Sequence, residues 1–119
     1  MGATTKSFSQ ADETREFDKG VVNIVRLAGH TIGQATFQPG WKWSETVQKI
    51  AGGDACQVHH VGMVISGTMR VAPVGGDEIE LTPGNAYEIE PGHDAWVVGD
   101  EPFVGLEFDS KAIETYAKP

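Results

Sequence analysis

The chain has 119 residues, room for one compact domain and too few for two. Its formal charge is −8, with no Lys/Arg cluster to offset it, which argues against nucleic acid and anionic membranes as partners. The one cysteine excludes a disulfide-stapled scaffold, no apolar run nears the roughly 20 residues of a membrane span, and "MGATTKSFSQADETREF" has no hydrophobic leader core.

A cytoplasmic protein is the simplest expectation from those exclusions. Hydrophobic residues make up 39% of the chain, enough for one core, and 15 glycines with 6 prolines favour short strands joined by turns.

Residues 1–15 are polar and read as an N-terminal arm. "VVNIVRLAG" from Val21 is β-branched and ends in a glycine, so a strand is predicted there. "IGQATFQPG" is the next strand, stopped by the turn dipeptide Pro39-Gly40. In "WKWSETVQKIAGGD", Trp41 and Trp43 alternate as on a strand, whereas Ser44-Glu45 suits the opening of a helical turn. "GMVI" and "MRVAPV" are two strands around a tight "SGT" turn. "GDEIELTPG", "NAYEIEPG", "HDAWVVGDEP" and "FVGLEFDS" continue the strand-and-turn rhythm. "KAIETYAKP" is read as a short C-terminal helix capped by Ser110. Strands at such spacing predict an all-β sandwich or barrel, not a parallel α/β sheet.

"VISG" followed by "TMRV", then "LTPGNAYEIEPG" and "GDEPFVGLEF", resembles the two-motif signature of small single-domain cupins over about residues 36–108. The resemblance implies a double-stranded β-helix, the cupin jelly-roll barrel, at residues 16–110, with 1–15 as arm and 111–119 as tail. It also implies a homodimer. Family members that hold a metal use two histidines one residue apart, a glutamate about four further on, and a histidine after the Pro-x-Gly. Counting back from Gly67 places His60 at the glutamate's position, with Cys56 and Asp54 at those of the two histidines. All three differ from the family's residues, yet each can bind a metal. In the second motif Ala95 occupies the histidine's usual place, and the available imidazole is His93 two residues earlier. Residues i and i+2 of a strand share a face, so His93 can enter the barrel one step away.

If 54–60 is extended, Asp54, Cys56 and His60 share one face and His59 lies opposite. The candidate metal ligands are therefore Cys56, His60 and His93, with Asp54 a weaker fourth. Thiolate plus imidazole suits a divalent transition metal: Zn(II) first, with Fe(II) or Ni(II) as alternatives, and not Mg(II) or Ca(II). The bland reading is that Cys56 is a small buried hydrophobe, Asp54 a turn residue after Gly52-Gly53, and His30 a loop residue. Cysteine nucleophile chemistry lacks a nucleophile elbow or helix N-terminus here.

Trp41, Trp43, Tyr87 and Trp96 are the candidate pocket aromatics, against the plain alternative that they fill the core. Glu45 and Glu107 are the candidate acid/base groups, and the phase of the last strand leaves open whether Glu107 points inward. The functional expectation is a metal-binding barrel holding a small organic molecule, with lyase, isomerase or oxygenase chemistry as options. A metal-free binding or sensing module is the alternative.

Overall fold

The computed structural model describes residues 2–108, so the C-terminal helix expected at 111–119 lies outside the described residues. Nine strands run in chain order: β1 (Glu13–Phe17), β2 (Gly20–Leu27), β3 (His30–Phe37), β4 (His60–Ser66), β5 (Thr68–Pro73), β6 (Ile79–Leu81), β7 (Ala86–Ile89), β8 (His93–Val98) and β9 (Phe103–Phe108). They form two antiparallel sheets. One has the order β1-β2-β3-β9-β4-β7 and the other β6-β5-β8. The non-sequential neighbours β3-β9 and β4-β9 are the crossovers that wrap the chain into a jelly roll. No described helix is long and apolar enough to cross a membrane.

The strands form where the period-two pattern is clear. β5 alternates Met69 and Val71 inward, and β8 alternates His93, Ala95 and Val97 inward. Their partners on the facing sheet are Val22, Ile24, Ala35, Phe37, Val64, Ile89 and Phe103. Each fully buried member of this core, such as Ile24 or Val71, contributes about 1.5–3 kcal/mol of burial. Gly67 alone links β4 to β5, where the chain passes from one sheet to the other. Its φ is +78°, and a Cβ there would strike the Pro102 carbonyl oxygen, so only glycine makes this passage.

Two expectations change here. The stretch read as an arm through residue 15 is already strand from Glu13, because β1 pairs with β2 and buries Arg15. Arg15 and Arg26 both pair with Glu13, which offsets the charge carried to that edge. The second change concerns Trp41 to Cys56. The strand there shrinks to one bridge between Lys42 and Trp96, with Trp41 and Trp43 buried on either side of it. The helical turn that Ser44-Glu45 suggested follows as the 3₁₀ turn Trp43–Glu45, with Gln48–Ala51 a single helical turn. Asp94 holds this segment down by accepting from Ser44 N–H at 3.1 Å and Ser44 Oγ at 2.8 Å. The segment then runs along the free edge of β8, through the Val97 N–H to Trp41 carbonyl bond and the bridge between Cys56 and His93.

Candidate metal centre

Cys56 is not on a regular strand. It pairs with His93 as an isolated bridge: its N–H donates to the His93 carbonyl at 2.7 Å, and its own carbonyl accepts from Gly92 and His93. Those bonds pin Cys56 beside the start of β8, and β4 begins only at His60. Residues 54–60 are therefore not one extended strand, but the chain still returns His60 to the same side as Cys56. One donor atom each from Cys56, His60 and His93 lies within 4.8 Å of the others, and all three residues are buried. Cys56 Sγ and His60 Nε2 are 3.8 Å apart, and the two imidazoles meet edge to face with centroids 5.2 Å apart.

The outer nitrogens of both rings are occupied. His60 Nδ1 donates to Glu107, 2.8 Å from Oε1 and 3.0 Å from Oε2. His93 Nδ1 donates to the Glu90 carbonyl at 2.8 Å. With Nδ1 donating outward in each ring, Nε2 is the atom left to face the cluster, and that of His60 meets the Cys56 thiol. A carboxylate or carbonyl behind the imidazole is the arrangement that orients histidine ligands in metal sites.

Glu107 points inward because β9 turns Phe103, Gly105 and Glu107 to the core side. Its neighbours in the sheet explain how it is held. Gly62 of β4 pairs with Glu107 on one side and Tyr87 on the other. The missing side chain at Gly62 lets Tyr87 reach across β4 and donate its hydroxyl to Glu107 Oε2 at 3.0 Å. A Cβ at Gly62 would run into the Leu106 carbonyl oxygen and lie 2.9 Å from the Tyr87 hydroxyl. Tyr87, Glu107, His60 and Cys56 thus form one hydrogen-bonded line into the barrel.

Electrostatics follow this line. Burial pushes the Cys56 thiol up, but hydrogen bonds to His60 and His93 outweigh it and bring the thiol down to about 7. Burial disfavours a charged His60, yet Glu107 and then Cys56 raise it to about 10. Burial, with Glu107 adding to it, raises Tyr87 and keeps it a neutral donor. A thiol so easily ionised, hydrogen-bonded to two imidazoles, is a soft N/S donor set. A tetrahedral zinc needs its donor atoms roughly 3.5 Å apart, and the Cys56–His60 separation is already close to that.

The cluster opens onto a cavity of about 620 Å³, counting the space at its solvent-facing mouth. Trp41, Trp43 and Tyr87 line it together with Phe37 and Phe103. Phe37 stacks on Trp41 at 4.1 Å with ring planes 9° apart. Among the described residues, Trp41 Nε1 is the one buried side-chain nitrogen or oxygen without a hydrogen-bond partner.

The remaining expected site residues fall elsewhere. Trp96 is not a pocket residue: it alternates with the inward Ala95 and Val97, faces outward and lies under the Lys42 ammonium at 5.3 Å. Asp54 is exposed and outside the cluster, since the chain only turns into the barrel at Ala55. His59 is half-exposed, paired with Glu88 at 2.8 Å, as its outward position implied. His30 is exposed at the start of β3. Ala95 shares the inward face of β8 with His93, so the imidazole has moved two residues along one face. Tyr87 as a partner of Glu107 had no sequence signal, because it depends on both strands lying beside β4; the Glu90 carbonyl lies only three residues before His93, across the Pro91-Gly92 turn.

No family profile and no characterised protein matches the chain by sequence. Solved structures do match. Ectoine synthase from P. lautus is 12% identical, with a TM-score of 0.65 over 91% of this chain and 78% of that one. A cupin-like protein from Thermotoga maritima is 16% identical, with a TM-score of 0.53 over 84% and 72%. The cupin domain of an XRE family transcriptional regulator from Enterobacter cloacae is 14% identical, with a TM-score of 0.53 over 76% and 94%. At such identities the likeness speaks to architecture, and with the two antiparallel sheets and their crossovers it shows that this chain has the cupin-like jelly-roll fold.

Proposed function

We propose that this protein binds a divalent transition metal through Cys56, His60 and His93 and holds a small organic molecule beside it in the barrel. The observation that carries the reading is the buried cluster itself: one donor atom each from Cys56, His60 and His93 lies within 4.8 Å of the others, with Glu107 and the Glu90 carbonyl holding the two rings from behind. Zinc suits one thiolate and two imidazoles best, and three protein ligands leave a position for a bound molecule. When bound, the metal would act as a Lewis acid toward a carbonyl or carboxyl group. Glu107 would keep the His60 ring oriented, Tyr87 would keep Glu107 in place, and the aromatic wall would exclude water from the bound molecule.

Elemental analysis of protein made without a histidine tag tests this. Near-stoichiometric zinc, or iron or nickel, is expected in the wild type and is lost in Cys56→Ala and His93→Ala. A wild type free of metal after metal-replete growth overturns the reading. That result would favour the second one, a metal-free binding module, which draws on the self-contained Tyr87–Glu107–His60–Cys56 hydrogen bonds.

A further inference from the structure

The connection from β3 to β4 is hydrogen-bonded to the second sheet at two places, and both are on β8. At the first, the Trp41 carbonyl accepts from the Val97 N–H at 3.0 Å, Lys42 bridges to Trp96, and Ser44 donates to Asp94 through its N–H and its hydroxyl. At the second, Cys56 exchanges backbone hydrogen bonds with Gly92 and His93. The bridged residues Trp96 and His93 are about 10 Å apart at the ~3.3 Å rise of a strand, so the loop between the two ties has its ends close together.

From Glu45 to Ala55 every hydrogen bond is made within this same connection, as from Thr46 Oγ1 to the Lys42 carbonyl and from Gln48 Nε2 to the Gly53 carbonyl. What presses the loop onto the barrel is apolar. Trp43 and Val47 are 2% and 1% exposed, and Trp43 lines the cavity. Its other side is open to solvent, with Lys49 and Ala51 to Asp54 exposed. Gly52 and Gly53, at φ of +78° and +83°, form a joint just before the second tie. A loop with adjacent ends, internal hydrogen bonds and one buried face is a unit that can open without the sheets beneath it.

We propose that residues 43–55 form a lid on the cavity, which lifts as one piece between its two ties and carries Trp43 out of the wall. The Ser44–Asp94 pair is the latch. The second half of the inference rests on the metal reading: the lid ends at Cys56, so an ion held by Cys56, His60 and His93 fastens it to β4 and β8. Metal binding therefore slows opening, although no residue from 43 to 55 donates to the ion.

Hydrogen exchange followed by mass spectrometry tests both halves, on metal-free and on zinc-loaded protein. Without metal, the amides of 46–52 should be protected about 10-fold less, or weaker still, than those of β5, the central strand of its sheet. Ser44→Ala should lower their protection by about a further 3- to 10-fold, as for loss of one hydrogen bond, and leave β5 unchanged. Asp94→Ala should lower it at least as much, and trypsin should cut first after Lys49, faster in both variants. Zinc should raise the protection of the same amides in the wild type. Lid amides as protected as β5 in the metal-free protein, or variants that loosen the lid and β5 alike, overturn the lid. Unchanged lid exchange in protein shown to hold zinc overturns the fastening. If the wild type takes up no zinc, the metal reading fails by itself, and the metal-free measurements still decide on the lid.

Discussion

Glu107 is the residue on which the candidate centre turns. A carboxylate pointing inward on a strand breaks the hydrophobic-in pattern, and it is tolerated because His60 Nδ1 and the Tyr87 hydroxyl both donate to it. Glu107→Gln keeps the shape and weakens the bond to the imidazole. Metal affinity, measured by competition with a chromophoric chelator, should fall about 10- to 100-fold, the usual cost of losing a ligand's supporting carboxylate. A variant that binds zinc as tightly as wild type would remove Glu107 from the site. The sequence already carried Cys56, His60 and His93 as candidates, because counting back from Gly67 put metal-binding residue types at the places where the resemblance implies ligands. It could not decide on Glu107: in "FVGLEF" both phases of the alternation carry apolar residues, and only pairing with Gly62 selects one.

At the level of elements, glycines decide where strands may approach. Gly62 lets Tyr87 cross β4, so Gly62→Ala should cost about 1–3 kcal/mol in urea unfolding and weaken zinc binding at the same time. Gly67→Ala meets both a positive φ and the Pro102 carbonyl, so it should destabilise by about 3 kcal/mol or more without altering the site chemistry. The β1–β2 edge offers a pH test. The hydrogen bonds from Arg15 and then Arg26 hold Glu13 down at about 2, against an ordinary 4.5. Since the folded value is the lower one, its stabilisation is fully present above pH 4.5 and is lost as the pH falls through 2. Glu13 is about one-third exposed, so solvent screening limits the contribution to about 0.5–1 kcal/mol. Glu13→Gln should lose that much at pH 7 and match the wild type near pH 2, as read from denaturant midpoints. Equal stability of the two proteins at pH 7 would count against the pairing.

For the whole molecule, metal binding and folding should be linked. The three donors come from the loop beside β8, from β4 and from β8 itself, which only the folded barrel brings together. Zinc at 100 times its Kd should therefore stabilise the protein by about 2.7 kcal/mol, and the thermal midpoint should fall on adding a chelator. Acid should reverse the effect, because ligation needs a thiolate and neutral imidazoles and protons compete for both. A midpoint indifferent to zinc and chelator alike would contradict this. What the sequence by itself determined was the all-β architecture, the positions of most strands and three candidate soft donors, because alternation, Pro-Gly turns and residue chemistry are local properties. Tertiary structure alone decided that Glu107 faces inward, that Asp54 and Trp96 lie outside the site, and that residues 13–15 belong to a strand. Each of those depends on which distant strand lies alongside, and a neighbour across the sheet leaves no mark on the local pattern.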